Sequence, residues 1–159
     1  MRLRRREFLL ISGAALLPGC KTAGFKDLFL SGDKEGRRRT KTFPPEFAEQ
    51  NAGIFCHITY STGRDDAQLR IYFIAPTEGT VALLDGGDIF LGRGEGKLVL
   101  QLAVITDKVS DDPKAKPTIS PRGPWELGDY QLQFFIDGEK EDSINFVVAE
   151  PEPGEAPPT

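Results

Sequence analysis

The residues of this chain that could act as nucleophiles or soft metal ligands are two cysteines, Cys20 and Cys56, and one histidine, His57. A cysteine and a histidine catalyse together only when their side chains lie within hydrogen-bond reach. Cys56 and His57 are adjacent in a stretch with period-two alternation, and neighbours in a strand point to opposite faces. We therefore expect Cys56 to be a small core hydrophobe. One histidine and one such thiol are too few ligands for a zinc or copper site, so we expect no metal and no cofactor.

Acidic side chains are numerous, but their spacing does not predict a metal or phosphate site. Asp85-Gly86-Gly87-Asp88 could contribute oxygens to Ca²⁺, which needs six to eight converging ligands, yet a hairpin turn explains the segment better. Gly92 to Gly96 is glycine-rich but joins two predicted strands and opens no helix, so it lacks the amide cradle of a phosphate site. We expect a protein that is not an enzyme.

Cys20 has a different chemical context, because it ends the segment Leu17-Pro18-Gly19-Cys20. A basic start with four arginines precedes it, followed by an apolar run from Phe8 to Leu17 that is shorter than the roughly 20 residues needed to span a bilayer. The tetrapeptide resembles the lipobox of bacterial lipoproteins. The resemblance implies cleavage between Gly19 and Cys20, a diacylglycerol on the Cys20 thiol and a fatty acid such as palmitate on the new amino group. Two or three such chains make release from a membrane negligible.

The same leader carries a second resemblance. Arg5-Arg6-Glu7-Phe8-Leu9 is similar to the R-R-x-F-L core of twin-arginine signals, which export proteins already folded in the cytoplasm. The alternative is an ordinary Sec signal with a basic start, so Arg5, Arg6, Phe8 and Leu9 are candidate export residues under the first interpretation only.

Charge is unevenly distributed along the chain, whose net charge is −4. Residues 20–45 carry seven basic and three acidic side chains, whereas residues 46–150 carry nine basic and eighteen acidic ones. An acidic domain argues against nucleic acid as a partner, because the phosphate backbone requires a positive footprint. With Cys20 lipidated, Cys56 has no intramolecular partner, so the fold must do without a disulfide.

Residues 20–45 have little apolar periodicity and contain glycines, a proline pair and Arg37-Arg38-Arg39. We expect a basic flexible tether. The alternative is one helical turn over Phe25 to Leu30 lying on lipid, with the three arginines attracted to anionic head groups.

From Ile54 onward the pattern has period two and is rich in β-branched and aromatic residues, which is typical of strands. Seven strands are predicted, at Ile54–Ser61, Gln68–Ala75, Thr80–Asp85, Asp88–Gly92, Lys97–Thr106, Asp129–Asp137 and Asp142–Ala149. Short strands at regular spacing without helical periodicity indicate an all-β sandwich over residues 46–150.

The last two predicted strands resemble those of bacterial immunoglobulin-like domains. Trp125, Gly128 and Tyr130 lead into a strand that turns at Asp137-Gly138. Tyr130 occupies the position of the corner tyrosine, whose hydroxyl bonds to upstream backbone in that superfamily. The resemblance implies an immunoglobulin-like β-sandwich of about seven strands, and it carries no function.

Alternation assigns the faces of the predicted strands. The inward rows include Tyr130, Leu132, Phe134 and Ile136 on one strand, and Ile144, Phe146 and Val148 on the next; Leu69, Ile71, Phe73, Leu98, Leu100, Leu102 and Val104 complete them. Large apolar side chains also fall in the outward phase, namely Phe55, Tyr72, Ile74, Phe90, Phe135 and Val147. They predict either a partner-binding patch or positions covered by loops and edges.

Two further segments lie outside the strands. Asp107 to Pro124 is long, irregular and proline-rich, which suits either a recognition loop or a passive crossover. The tail, residues 151–159, is rich in proline and glutamate and is expected to be disordered.

Together these features predict an exported bacterial lipoprotein, anchored through Cys20, with one binding or assembly domain that contacts an envelope protein. Lys21 after the cysteine favours the outer membrane, facing the periplasm, by resemblance to lipoprotein sorting signals. The alternative is a carbohydrate-binding or hydrolase domain, which for hydrolysis would need two carboxyl groups roughly 5–9.5 Å apart.

Overall fold

The computed structural model describes residues 23–76, 81–83, 88–106 and 118–154. The predicted signal peptide, the lipid-attachment residue Cys20, the Gly86-Gly87 turn and residues 107–117 of the proline-rich segment lie outside these ranges.

Ten strands make up the described part of the chain, and no helix lies in it. They are β1 (Ala23–Asp33), β2 (Thr42–Phe43), β3 (Ala52–Thr62), β4 (Ala67–Ile74), β5 (Val81–Leu83), β6 (Ile89–Leu91), β7 (Gly94–Thr106), β8 (Thr118–Ser120), β9 (Gly128–Ile136) and β10 (Glu139–Val148). The described residues therefore include no helix that is long and apolar enough to cross a membrane.

The strands form two five-stranded sheets. The first sheet has the order β1-β3-β7-β5, and β8 also pairs with β7. The second has the order β2-β10-β9-β4-β6. The hairpin predicted around Gly86-Gly87 was wrong, because the flanking strands β5 and β6 belong to different sheets. All neighbours are antiparallel except β2 and β10, which are parallel. The chain is an all-β, immunoglobulin-like sandwich, as the sequence predicts.

The core lies between the sheets and is built from alternate residues of the long strands. Leu132 and Phe134 of β9 are fully buried, as are Leu69 of β4 and Leu102 of β7. The ring of Phe25 near the start of β1 meets Phe134 of β9 edge-on at 5.8 Å, so the two sheets pack against each other at this end. The inward phase predicted for β9 and β10 is confirmed, because all seven predicted positions are buried.

The prediction of a flexible tether over residues 20–45 was wrong for the part that the structure describes. Residues 23–33 form the edge strand β1, which pairs with β3 over most of its length, and Phe43 of β2 is 2% exposed. The sandwich therefore includes the chain from Ala23 onward. The helical turn considered for Phe25 to Leu30 is likewise replaced by strand.

A β-bulge explains why β1 shows no period-two pattern. The register with β3 shifts between Phe25 and Asp27, so the extra residue Lys26 changes the phase of alternation. Phe25 faces the core before the bulge, and Leu28 and Leu30 face it afterwards. A fixed period of two would place Phe25 on one face of the strand and Leu28 and Leu30 on the other, so the pattern is hidden in the sequence.

The turn between β9 and β10 follows the predicted chemistry. Asp137 and Gly138 form a two-residue connection in which both residues have positive φ, 52° and 86°. This is the type I′ geometry, whose twist matches the strands and which favours Asp-Gly. The Asp137 carboxylate also accepts a hydrogen bond from the backbone N–H of Gln68, at 3.0 Å, which ties the turn to β4.

Candidate binding face

The outward side of the second sheet presents an exposed surface, which we call the open face. Its positions alternate with the buried residues of the same strands. The members are Thr42, Gln68, Arg70, Tyr72, Ile74, Phe90, Asp129, Gln131, Gln133, Phe135, Lys140, Ser143, Asn145 and Val147.

Large apolar side chains on the open face are accessible. Phe90 is 64% exposed, Tyr72 50%, Ile74 48% and Val147 36%. Phe135 is half-buried. Four of the six side chains predicted in the outward phase are thus exposed on one sheet, which is the arrangement expected for a contact surface.

Phe55 is the exception among the predicted outward residues, because it is only 5% exposed. It lies on the first sheet, where the chain near Pro121 covers the strand. A Cβ placed on Gly53 would lie 3.3 Å from the Pro121 carbonyl oxygen and 3.7 Å from the Phe55 ring. Phe55 is therefore covered by a loop, which is the alternative that the sequence predicts for apolar residues in the outward phase.

Near the Asp137-Gly138 turn, the open face holds a shallow pocket of about 380 Å³, lined by Arg70, Tyr72, Gln133, Phe135 and Gly138. Cross-strand pairing places these residues, since Arg70 is opposite Phe135 and Tyr72 is opposite Gln133. The rings of Tyr72 and Phe135 meet edge to face at 5.1 Å and 83°. One ring face and one ring edge are therefore adjacent at the pocket.

A row of side-chain amides runs across the open face beside the rings. Gln133 Nε2 donates to Gln131 Oε1 at 2.6 Å, and Gln131 Nε2 donates to Asn145 Oδ1 at 2.9 Å. Each amide has two donor hydrogens and an acceptor oxygen. The mutual bonds orient the row and leave further donor and acceptor positions for a ligand.

The guanidinium of Arg70 is held at the other side of the pocket by a carboxylate. Arg70 Nε donates to Asp88 Oδ1 at 3.2 Å, and both side chains are about half exposed. The hydrogen bond and the charge of Asp88, with a smaller contribution from Tyr72, raise the pKa of Arg70 above its ordinary value. The pair presents fixed donors and acceptors while its charges offset each other.

The outward side of the first sheet differs, because residues 34–40 fold over part of it. Thr40 N donates to the Leu30 carbonyl, and Arg39 forms a bidentate ion pair with Asp27. The Arg39 guanidinium lies 4.0 Å from the centre of the Phe29 ring. Under this cover His57 is only 9% exposed.

Cys56 and His57 occupy opposite sides of β3, as the sequence predicts. Cys56 is fully buried in the core, where burial raises the pKa of its thiol to about 12. His57 stacks on Phe29 outside the core, with ring centres 4.6 Å apart. The thiol is therefore a neutral core group at physiological pH, and the two side chains do not form a nucleophile–base pair.

The predicted fold motif lies at the end of the sandwich where β9 begins. Tyr130 Oη donates to the carbonyl oxygen of Glu126 at 2.9 Å, which is the upstream backbone contact of a corner tyrosine. Trp125 packs edge-on against the Tyr130 ring at 6.0 Å. Gly128 has φ of 137° and a Cβ there would lie 2.8 Å from Pro76, so this position requires glycine.

Within the described ranges, no group of three or more histidine, cysteine, aspartate or glutamate side chains could hold a metal ion. Asp27, Asp88, Glu95 and Asp137 each form an ion pair with a lysine or arginine. These four carboxylates therefore have structural partners. The residues predicted to carry lipid or export signals lie outside the described ranges.

No protein-family model matches this chain, and no curated protein matches it. Its function must be inferred from its own residues. The amides on the open face were not singled out in the sequence, although alternation places them in phase with Tyr72 and Phe135.

Proposed function

We propose that this protein is an exported lipoprotein, anchored through Cys20, whose sandwich is a non-catalytic binding module that uses the open face. The lipobox-like segment ending at Cys20 supports the anchor. The pocket between Tyr72, Phe135 and Gln133 supports the binding role and is the observation that carries it. Lys21 supports an outer-membrane location facing the periplasm.

The position of β1 gives the anchored protein a defined geometry. Only Lys21 and Thr22 separate Cys20 from the first residue of β1, so the sandwich follows the lipid directly. Ala23 pairs with Thr62 at the end of the sandwich that also holds the Asp137-Gly138 turn. This end faces the bilayer in the proposed arrangement.

The open face is suited to binding because it is uncovered and chemically mixed. Isolated exposed hydrophobic residues are ordinary on a protein surface, but several on one sheet, beside oriented amides, indicate a contact site. Interfaces favour aromatic residues and arginine over free charges at their centres. The pocket residues Arg70, Tyr72 and Phe135 have this composition.

The anchor is tested by replacing Cys20 with alanine and separating membranes from soluble material. We expect the wild-type chain in the membrane fraction as a lipidated form that begins at Cys20, and the variant soluble or uncleaved. Mass spectrometry of the amino terminus reads out the modification directly. A variant that stays in the membrane after cleavage of its signal peptide would contradict the anchor.

The binding role is tested by a photo-reactive benzoylphenylalanine at position 133, in the pocket, in cells. A matched control carries it at position 99, because Val99 is 41% exposed on the outward side of the first sheet. Benzophenone inserts into C–H bonds of any organic partner. We expect adducts from position 133 and not from position 99; equal yields from both would contradict a binding role for the open face.

A further inference from the structure

We infer that the ligand of the open face is a neutral polysaccharide, bound along the amide row and against the Tyr72 and Phe135 rings. The inference rests on the proposed binding role of that face.

The charge of the open face favours an uncharged ligand. Charged residues make up 28% of the chain, yet the pocket contains one, Arg70, and Asp88 neutralises it at 3.2 Å. The other polar positions of the face on β9 and β10 include one positive and one negative charge, so their net charge is zero; they are Asp129, Gln131, Gln133, Lys140, Ser143 and Asn145. A polyanion would find no unpaired cation among the pocket-lining residues, and a polycation no unpaired carboxylate.

A ligand that contacts both sides of the pocket needs apolar surface for the rings and several hydrogen-bonding groups for the amides. The electron-rich faces of Tyr72 and Phe135 attract C–H groups. A few ångströms away, the amides offer donors and acceptors that they hold in place for each other. A pyranose ring has this combination in every unit, because apolar C–H groups cover its faces and hydroxyl groups surround its rim.

The arrangement of the face favours an extended chain. The amides Gln133 and Gln131 of β9 lie directly opposite Tyr72 and Ile74 of β4, so polar and apolar side chains are adjacent along this strand pair. Phe90 adds an exposed ring beside Gln68 on the far side of β4. The pocket is shallow and open along the sheet, which suits an internal stretch of a polymer.

A protein partner matches this surface less well. The centre of a stable protein interface is commonly a contiguous apolar patch surrounded by a polar rim. Here the amides Gln131 and Asn145 lie between Val147 and the group formed by Tyr72, Ile74 and Phe135, so the apolar side chains do not form one patch. Protein capture by the open face is therefore an outcome that the experiment must be able to detect.

The test measures migration of the full-length protein, purified from membranes in detergent, through native gels that contain a polysaccharide. Neutral probes are dextran, mixed-linkage β-glucan and galactomannan, and alginate is the charged comparison. We expect retardation by at least one neutral polymer and none by alginate.

Substitutions then locate the site. Tyr72→Ala should lower affinity about tenfold, the effect of losing one aromatic contact. Gln133→Ala should lower it about fivefold, as for one hydrogen bond. Val99→Ala, on the first sheet, should bind like the wild type. Circular dichroism and thermal unfolding of each variant confirm that its sandwich is intact.

The outcomes separate this inference from the proposed binding role. Retardation by no neutral polymer, binding to alginate alone, or unchanged binding by both Tyr72→Ala and Gln133→Ala would overturn the polysaccharide assignment. If position 133 nevertheless cross-links to a protein, the binding role stands and only the ligand class is wrong. If position 133 gives no adduct and no polymer is bound, the binding role of the open face and the polysaccharide assignment are both wrong.

Discussion

The hydroxyl of Ser31 lies 2.7 Å from Nε2 of His57, and this contact joins β1 to β3 beneath the segment 34–40. Ser31 Oγ also lies 2.6 Å from the carbonyl oxygen of Asp33, to which it can only donate. Since a hydroxyl has one hydrogen, it must accept from His57, and Nε2 carries the hydrogen. His57 is therefore a structural donor under the covering segment.

Gly36 lies against the same ring, so substitutions at Gly36 and at His57 should influence each other. It has φ of 68°, and a Cβ there would lie 2.8 Å from the imidazole. We expect Gly36→Ala to lower the free energy of unfolding by about 1–3 kcal/mol, through backbone strain and contact with the ring. Urea denaturation measures the loss.

A double-mutant cycle separates the two causes. In a His57→Ala background, Gly36→Ala loses its steric partner and retains only the backbone cost, so the two losses should not add. Gly138→Ala is a control at another positive φ, with no atom within 4 Å of its Cβ position. Additive losses for Gly36 and His57 would show that the ring is not what the new methyl group meets.

Cys56 makes the protein less stable in alkaline solution. Burial raises the pKa of its thiol from 9.0 to about 12, so the unfolded chain loses this proton at lower pH than the folded chain. The contribution is fully present below pH 9 and is lost between about pH 9 and 12, with a limiting slope of about 1.4 kcal/mol per pH unit. We expect Cys56→Ala to flatten the pH dependence of the unfolding free energy in this window.

Tyr130 also lowers the stability in alkaline solution, because desolvation raises the pKa of its hydroxyl. Cys56→Ala should therefore reduce the pH dependence of the unfolding free energy without abolishing it. In the native state, Cys56 should not react with a thiol reagent at pH 8, and it should react on addition of denaturant. Rapid native labelling would contradict its burial.

Strand prediction succeeded where alternation was unbroken. The seven predicted strands all have counterparts among the described residues, since β-branched and aromatic residues at a period of two bury one face. It failed for β1, where the bulge at Lys26 changes the phase, and for β2 and β8, which are two and three residues long. Such short strands are set by tertiary pairing that no local pattern encodes.

The open face could be predicted only in part. Alternation placed Tyr72, Ile74, Phe90 and Val147 outward but could not distinguish them from Phe55, because cover by the chain near Pro121 is a long-range contact. The amide row depends on strand order: Gln131 and Asn145 meet because β9 and β10 pair in one particular register. The pocket likewise requires β4 and β9 to be neighbours.

Removal of the Tyr130 hydroxyl tests the corner motif. Tyr130→Phe should lower the free energy of unfolding by about 1 kcal/mol, the typical net value of one hydrogen bond, because the bond from Tyr130 Oη to the Glu126 carbonyl is lost. Tyr72→Phe is a matched control, since Tyr72 is half exposed and water replaces its contacts. Equal stability of wild type and Tyr130→Phe would show that the hydroxyl does not hold the corner.

Substitutions in the predicted signal peptide test the export route. Replacing Arg5 and Arg6 together by lysine keeps the positive charge but removes the arginine pair, so export should stop if the signal belongs to the twin-arginine class. Arg2→Lys with Arg4→Lys is the control, because these arginines lie outside the R-R-x-F-L segment. Normal export of the Arg5/Arg6 variant would assign the leader to the Sec route.

The basic segment should contribute nothing to membrane retention, although the sequence alone allowed it to bind anionic lipid. Arg37 and Arg38 follow β1, whose 11 residues span roughly 33 Å from the proposed anchor end. A Debye length of about 8 Å at physiological salt screens charges across that distance. Arg37→Gln with Arg38→Gln should therefore remain in the membrane fraction at low and high salt, like a control with Arg122→Gln, an exposed cation at the end of the sandwich away from the proposed anchor. Salt-dependent release of the double variant alone would place the segment at the bilayer and require the sandwich to lie on its side.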